Sequence, residues 1–137
     1  MSTTAGDLVR AFGDVDTMQT MYTEDISWTL PASLGPLAGP HVGKDAVTAF
    51  SRTAWGTLYE PEGVEVEVLD ELEEGDLSAA RFLYRATVAA SGEAYENSYT
   101  IFVRTRDGKV AEVHELVDTL KVAHYAGFRP MLPPIPA

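Results

Sequence analysis

Between residues 64 and 68 the apolar positions Val64, Val66 and Val68 alternate with Glu65 and Glu67. This two-residue period predicts a half-buried strand with an acidic outer face. Glu73-Glu-Gly-Asp76 turns the chain, and residues 77–90 keep the same period through a long second strand. Ser91-Gly92 turns it again into a strand over 94–106, and Asp107-Gly108 leads into a last strand that ends near Asp118. The earlier part of the chain has the helical period instead. Residues 4–13 place Leu8, Val9 and Phe12 on one side, with Gly13 as the stop. Asp14-Val-Asp16 offers an N-cap to a helix over 17–22, and residues 25–31 read as a strand closed by Pro31. A Gly/Pro-rich loop over 35–43 leads to a third helix with Ala46, Val47, Phe50 and Ala54 as its stripe. Asp118-Thr119 caps a last helix to about Ala126, and the prolines at 130, 133, 134 and 136 exclude regular structure in the tail.

The pattern predicts one α+β domain over residues 1–137, with a folded core over 1–128 and a Pro-rich tail over 129–137. Its helices come first, and a strongly bent antiparallel sheet follows. A length of 137 residues with 45% hydrophobic content suits a single domain with a real core. The net charge of −11 leaves no basic cluster to displace counterions, so neither nucleic acid nor an anionic membrane is an expected partner. No apolar run approaches the roughly 20 residues that span a bilayer. Zero cysteines exclude disulfides and thiolate metal sites. The first residues lack a basic, then apolar, leader pattern, and cytoplasm is the expected location.

Face assignment brings the chemistry into view. Short turns at Ser91-Gly92 put Tyr84 and Ala86 on one face with Asn97, Tyr99, Ile101 and Val103. The last hairpin has two alternatives. A two-residue turn at Asp107-Gly108 pairs Arg106 with Lys109 and puts His114, Leu116 and Asp118 on the Asn97 face. A three-residue loop pairs Thr105 with Lys109 and puts Val113, Glu115 and Val117 there. Arg-Asp-Gly-Lys suits the second geometry, which makes Glu115 a lone carboxyl between valines. Desolvation then raises its pKa, as a general acid or base requires. Its other reading is a solvated glutamate, or one paired with an arginine such as Arg85.

Asn97 is expected to line a pocket or to be satisfied by neighbours, because asparagine is depleted in strands and its buried amide needs partners. Asp118 is an acid candidate and equally an N-cap; His114 is a titratable candidate and equally a surface or interface residue. Tyr84 has a hydroxyl to place as proton donor or clamp. Trp28, Tyr99, Leu30 and Phe12 supply apolar wall, or plain core. His41, His114 and His124 lack metal-site spacing, and no phosphate loop or nucleophile elbow occurs, so no metal and no cofactor is expected.

Met21-Tyr-Thr-Glu-Asp-Ile-Ser-Trp-Thr-Leu-Pro31, Val42-Gly-Lys-Asp-Ala-Val-Thr-Ala-Phe50, Tyr95-Glu-Asn-Ser-Tyr99 and Asp107-Gly-Lys-Val-Ala-Glu-Val-His-Glu-Leu-Val-Asp-Thr119 together resemble the SnoaL-like branch of the nuclear-transport-factor-2-like superfamily. That group includes ketosteroid isomerases, limonene-epoxide hydrolases and polyketide cyclases. The resemblance implies a cone: a curved antiparallel sheet closed by three N-terminal helices around an apolar pocket, commonly dimeric through the outer sheet face. Ketosteroid isomerases place their base where this chain has Leu30, which cannot accept a proton. The Arg/Asp/Asp set of the epoxide hydrolases falls at Phe82, Tyr84 and Glu115, and their Tyr and Asn fall at Trp28 and Leu30. The cyclase pattern, a single acid/base group near the final strand, leaves Glu115, His114 or Asp118. The expected activity is cofactor-free isomerisation, cyclisation, hydration or dehydration of a small apolar or polycyclic molecule. The alternative is a ligand-binding or homodimeric interaction module without turnover.

Overall fold

The computed structural model describes residues 2–127. The irregular tail expected over 129–137 lies outside the described residues. Helices α1 (Thr4–Arg10), α2 (Val15–Gln19) and α3 (Lys44–Thr53) cover one face of a sheet made of β1 (Tyr22–Thr29), β2 (His41–Val42), β3 (Glu65–Glu74), β4 (Leu77–Thr87), β5 (Ala94–Arg106) and β6 (Lys109–Val117). Helix α4 (Thr119–Ala126) follows β6. The strand order is β2-β1-β6-β5-β4-β3, and the sheet is curved and unclosed. Its inner face carries the core, where Leu8 and Val9 of α1, Met18 of α2 and Val47 of α3 meet Ile26, Phe82, Ile101, Val103 and Val113.

Local chemistry explains where the helices begin. Thr3 caps α1 by accepting from Gly6 N at 2.9 Å, and three further amides of that end find side chains from β3 and β4. Thr3 N bonds Glu71, Thr4 N bonds Glu73 and Ala5 N bonds Ser78. Those are the amides a helix cannot satisfy by itself. Asp14 caps α2 at Thr17 N, and Asp118 caps α4 at Leu120 N and Lys121 N.

Several sequence expectations are corrected. Helix α2 ends at Gln19, because Tyr22 is drawn into β1 by pairing with Val110. The sheet is not wholly antiparallel: β1 lies parallel to β6. Part of the Gly/Pro-rich loop is ordered as a 3-10 segment, Ala32–Leu37, and His41–Val42 forms a short edge strand against β1. Strand β4 stops at Thr87, leaving Ala90 exposed, and Ala46 faces solvent on α3.

The last hairpin combines the two alternatives. Its turn is the two-residue one, with Arg106 opposite Lys109 and positive φ at Asp107 (52°) and Gly108 (76°). That is the type I′ geometry, not the expected three-residue loop. Two residues further on, Thr105 pairs with Val110 and Arg104 with Glu112, so Ala111 has no opposite residue. This one-residue bulge exchanges the faces beyond it. Val113 and Glu115 point inward and His114 points outward. A second bulge at Leu69 of β3 adds to the sheet's bend.

Among the described residues, no helix is long and apolar enough to cross a membrane.

Candidate functional site

The inner end of the cone encloses a cavity bounded by Phe12, Trp28, Leu30, Phe50, Tyr84, Tyr99 and Glu115, and capped by Leu34, Leu37, Leu58, Tyr59 and Val122. The cavity volume is about 70 Å3, and about 620 Å3 when the open mouth is included.

Among the described residues, Glu115 is the one carboxyl on this wall. It sits on β6 opposite Ile101, is only 8% exposed, and its pKa is pushed up to about 7. Burial is the cause, since a carboxylate loses its hydration there without gaining a cation. The Trp28 indole N–H lies near enough to offset part of the rise. It falls short of hydrogen-bond geometry, and Trp28 Nε1 is a buried donor without a partner among the described residues. The structure therefore leaves one donor and one near-neutral acid side by side, both uncommitted.

The tyrosines lie on the facing strands. Tyr84 Oη accepts from Trp55 Nε1 at 2.6 Å, and burial raises the Tyr84 pKa above the ordinary phenol value. Tyr99 stacks on Phe82 with centroids 5.4 Å apart, and burial holds its pKa well above the usual value. Phe12, in the turn that follows α1, wedges between Trp55 (5.3 Å) and Phe82 (5.6 Å).

Six predicted site residues thus converge on the cavity: Glu115, Tyr84, Trp28, Tyr99, Leu30 and Phe12. Three do not. Asn97 is buried but not on the cavity wall. Its Nδ2 donates to Tyr95 Oη (2.8 Å) and Asp118 O (3.1 Å), and its Oδ1 accepts from Ser98 N (2.8 Å). The reading of Asn97 as a ligand contact is corrected: neighbours hold both ends of the amide. Asp118 is an exposed N-cap and reaches no pocket atom. His114 lies on the outer face, paired with Glu112 at 2.6 Å, because the Ala111 bulge turned it outward.

Sequence reasoning missed Trp55, Leu58 and Tyr59. They lie on a single π-helical turn, Ala54–Leu58, and on the residue after it. An irregular turn has no period to read, although two aromatics beside Pro61 were a usable signal. Among the described residues no three His, Cys, Asp or Glu side chains gather as a metal site.

The SnoaL-like domain family matches residues 8–113, most of the chain. The chain belongs to that family. No curated protein matches it significantly. Among solved structures, the SnoaL-like chain is similar to a nuclear-transport-factor-2-like protein from Burkholderia xenovorans, at 25% identity over 88% of this chain and 90% of that one, with a TM-score of 0.68. A protein of ketosteroid-isomerase-like fold from Catenulispora acidiphila, solved in complex with trimethylamine, shares 12% identity over 98% and 100% of the two chains, with a TM-score of 0.76. TerC, co-crystallised with polyporic acid, shares 18% identity over 88% and 92%, with a TM-score of 0.74. These likenesses establish the fold of this SnoaL-like domain; its chemistry is argued from its own residues.

Proposed function

We propose that this SnoaL-like domain takes a small, largely apolar molecule into the cavity and moves a proton on it through Glu115, without a cofactor. The observation that carries the reading is a buried, unpaired carboxyl on the cavity wall with its pKa at about 7. Such a group is half ionised at neutral pH, where it can both take and return a proton. Isomerisation, aldol-type cyclisation, hydration and dehydration all need that exchange. Tyr84 supplies the complementary donor: its oxygen already accepts from Trp55, which leaves its own hydrogen for a ligand oxygen. Phe12, Leu30 and Phe50 supply the apolar wall. In this conformation the space suits a compact ring, and a polycyclic ligand would require the turn bearing Trp55 to move.

The test is proton exchange in small cyclic ketones incubated with the protein in heavy water, read by NMR. The wild type should wash out the hydrogens beside the carbonyl, and Glu115→Gln should slow this by roughly 10²–10⁴-fold. Equal rates in the two proteins would remove Glu115 from the chemistry.

The second reading is a binding module without turnover. It is favoured by the absence, among the described residues, of a second acid or base on the cavity wall. Saturable ketone binding with no exchange would select it. We also propose a homodimer through the outer sheet face, where Leu72, Phe102 and Leu116 are 65%, 41% and 51% exposed. Sedimentation of Phe102→Glu as a monomer, against a wild-type dimer, tests it. A cytoplasmic location fits the cysteine-free chain.

A further inference from the structure

The π-helical turn Ala54–Leu58, with Tyr59 after it, stands between the cavity and two surface grooves. Trp55 lines the cavity on one side and, on the other, a groove of about 330 Å3 formed with Gly13, Asp16, Arg52 and Pro61. Leu58 and Tyr59 separate the cavity from a groove of about 220 Å3 that reaches Val88 and Tyr125. The two ends of this wall are held very differently. At the Tyr59 end the backbone is fastened to the end of β4. Glu60 N bonds Thr87 O at 2.9 Å, Ala89 N bonds Leu58 O at 3.0 Å, and Tyr59 bridges to Val88. The Tyr59 ring also packs on Tyr84 (5.5 Å) and Tyr95 (4.9 Å). At the other end the half-buried Trp55 indole is held by its hydrogen bond to Tyr84 Oη, at 2.6 Å, and by its contact with Phe12. Its backbone leaves the helical region (φ −99°, ψ 52°), and the adjacent Gly56 is exposed, with open space where a side chain would stand. Every residue of the turn is half-buried or exposed. Such a segment opens at lower cost than the packed elements around it, and single π-helical turns often mark functional sites.

We propose that Trp55 is the specificity-determining residue of the cavity: latched to Tyr84 it confines the ligand to a single ring, and swung outward it admits a fused-ring molecule that spans the cavity and the groove beside Arg52. The inference rests on the cavity being the ligand site, but not on Glu115 acting as a base. The enclosed volume of about 70 Å3 belongs to the latched arrangement. Room for the displaced indole is present outside it. Arg52 and Asp16 pair in the groove at 2.9 Å with both side chains exposed, and Gly13 presents no side chain to it. Moving the indole gives up one hydrogen bond and one aromatic contact. The freed N–H meets water in the groove, and the second ring of the ligand takes the place of the indole against Phe12. The same movement leaves Tyr59 on its β4 anchor, so the rest of the wall stays in place.

The probes are cyclohexanone, with one ring, and tetralone, with two fused rings, and the readout is the ratio of their affinities by calorimetry. Trp55→Ala should raise the affinity for tetralone relative to cyclohexanone roughly ten- to hundredfold over wild type. Trp55→Phe keeps an aromatic ring and deletes only the latch, so it should raise the ratio roughly three- to tenfold. It also carries the test should Trp55→Ala fail to fold. Phe50→Ala trims a cavity wall away from the groove and should raise the ratio by less than Trp55→Ala does. Glu115→Gln should keep the wild-type ratio even while abolishing proton exchange, which separates this inference from the acid/base reading. Cyclohexanone binding with an unchanged ratio in both Trp55 variants, or an equal gain in Phe50→Ala, would overturn the inference and leave the cavity standing as the ligand site. Binding of neither ketone by any of these proteins would overturn both.

Discussion

Glu115 and Glu71 are the same side chain in two regions of one sheet, and the protein moves them in opposite directions. Glu115 faces the cavity, has no cation beside it among the described residues, and is pushed up to about 7 by burial. Glu71 sits at the seam between β3 and α1, where Arg10, Thr3 N and Thr3 Oγ1 all bond its carboxylate and hold it down at about 2. Desolvation acts on both, but only at Glu71 do donors outweigh it. One region uses the carboxylate to stitch a helix to an edge strand. The other leaves it uncommitted, and an uncommitted buried acid is what chemistry or binding can use.

For Glu115 the folded pKa lies above the ordinary 4.5, so the folded state keeps a proton that the unfolded chain has released. Its contribution therefore destabilises the fold increasingly as pH rises from about 4.5 to 7. A difference of this size corresponds to roughly 3 kcal/mol. Glu115→Gln should gain that amount relative to wild type between those two pH values in denaturant melts; parallel curves would place the carboxyl in solvent. For Glu71 the sign reverses. Its stabilisation is complete above about 4.5 and is lost as pH falls toward 2, and Arg10→Leu should flatten that acid limb. Thr3→Val removes both the α1 cap and a Glu71 donor, and should cost about 1 kcal/mol in thermal melts at neutral pH. The smallest effect is at the cavity. Trp28→Phe deletes the N–H that restrains the Glu115 pKa, so the pH midpoint of proton exchange should move upward; a downward move would assign the restraint to another group.

Much of the site was legible because alternation in strands assigns faces without knowledge of partners. Tyr84 and Tyr99 follow from the β4–β5 hairpin, whose pairing of Tyr84 with Asn97 matches the expected parity. The N-caps Asp14 and Asp118 follow from local hydrogen bonding alone. Asn97 shows where this stops: depletion of asparagine in strands marked it as needing partners, but those partners, Tyr95 and Asp118 O, come from its own strand and a helix cap. His114 and Glu115 show it more sharply, since the local turn chemistry and the local bulge act in opposite senses on the same strand.

The sequence by itself determined the α+β class, the order of elements, the inward set on β4 and β5, and the family, because these rest on periodicity and short-range hydrogen bonding. Only the tertiary structure decided which acid faces the cavity. An inserted residue at Ala111 moves every later side chain of β6 to the opposite face, and its place is set by pairing across the sheet rather than by anything a single strand contains. It also decided the cavity's aromatic rim, because Trp55 and Tyr59 reach it from an irregular turn whose position depends on packing against Tyr84.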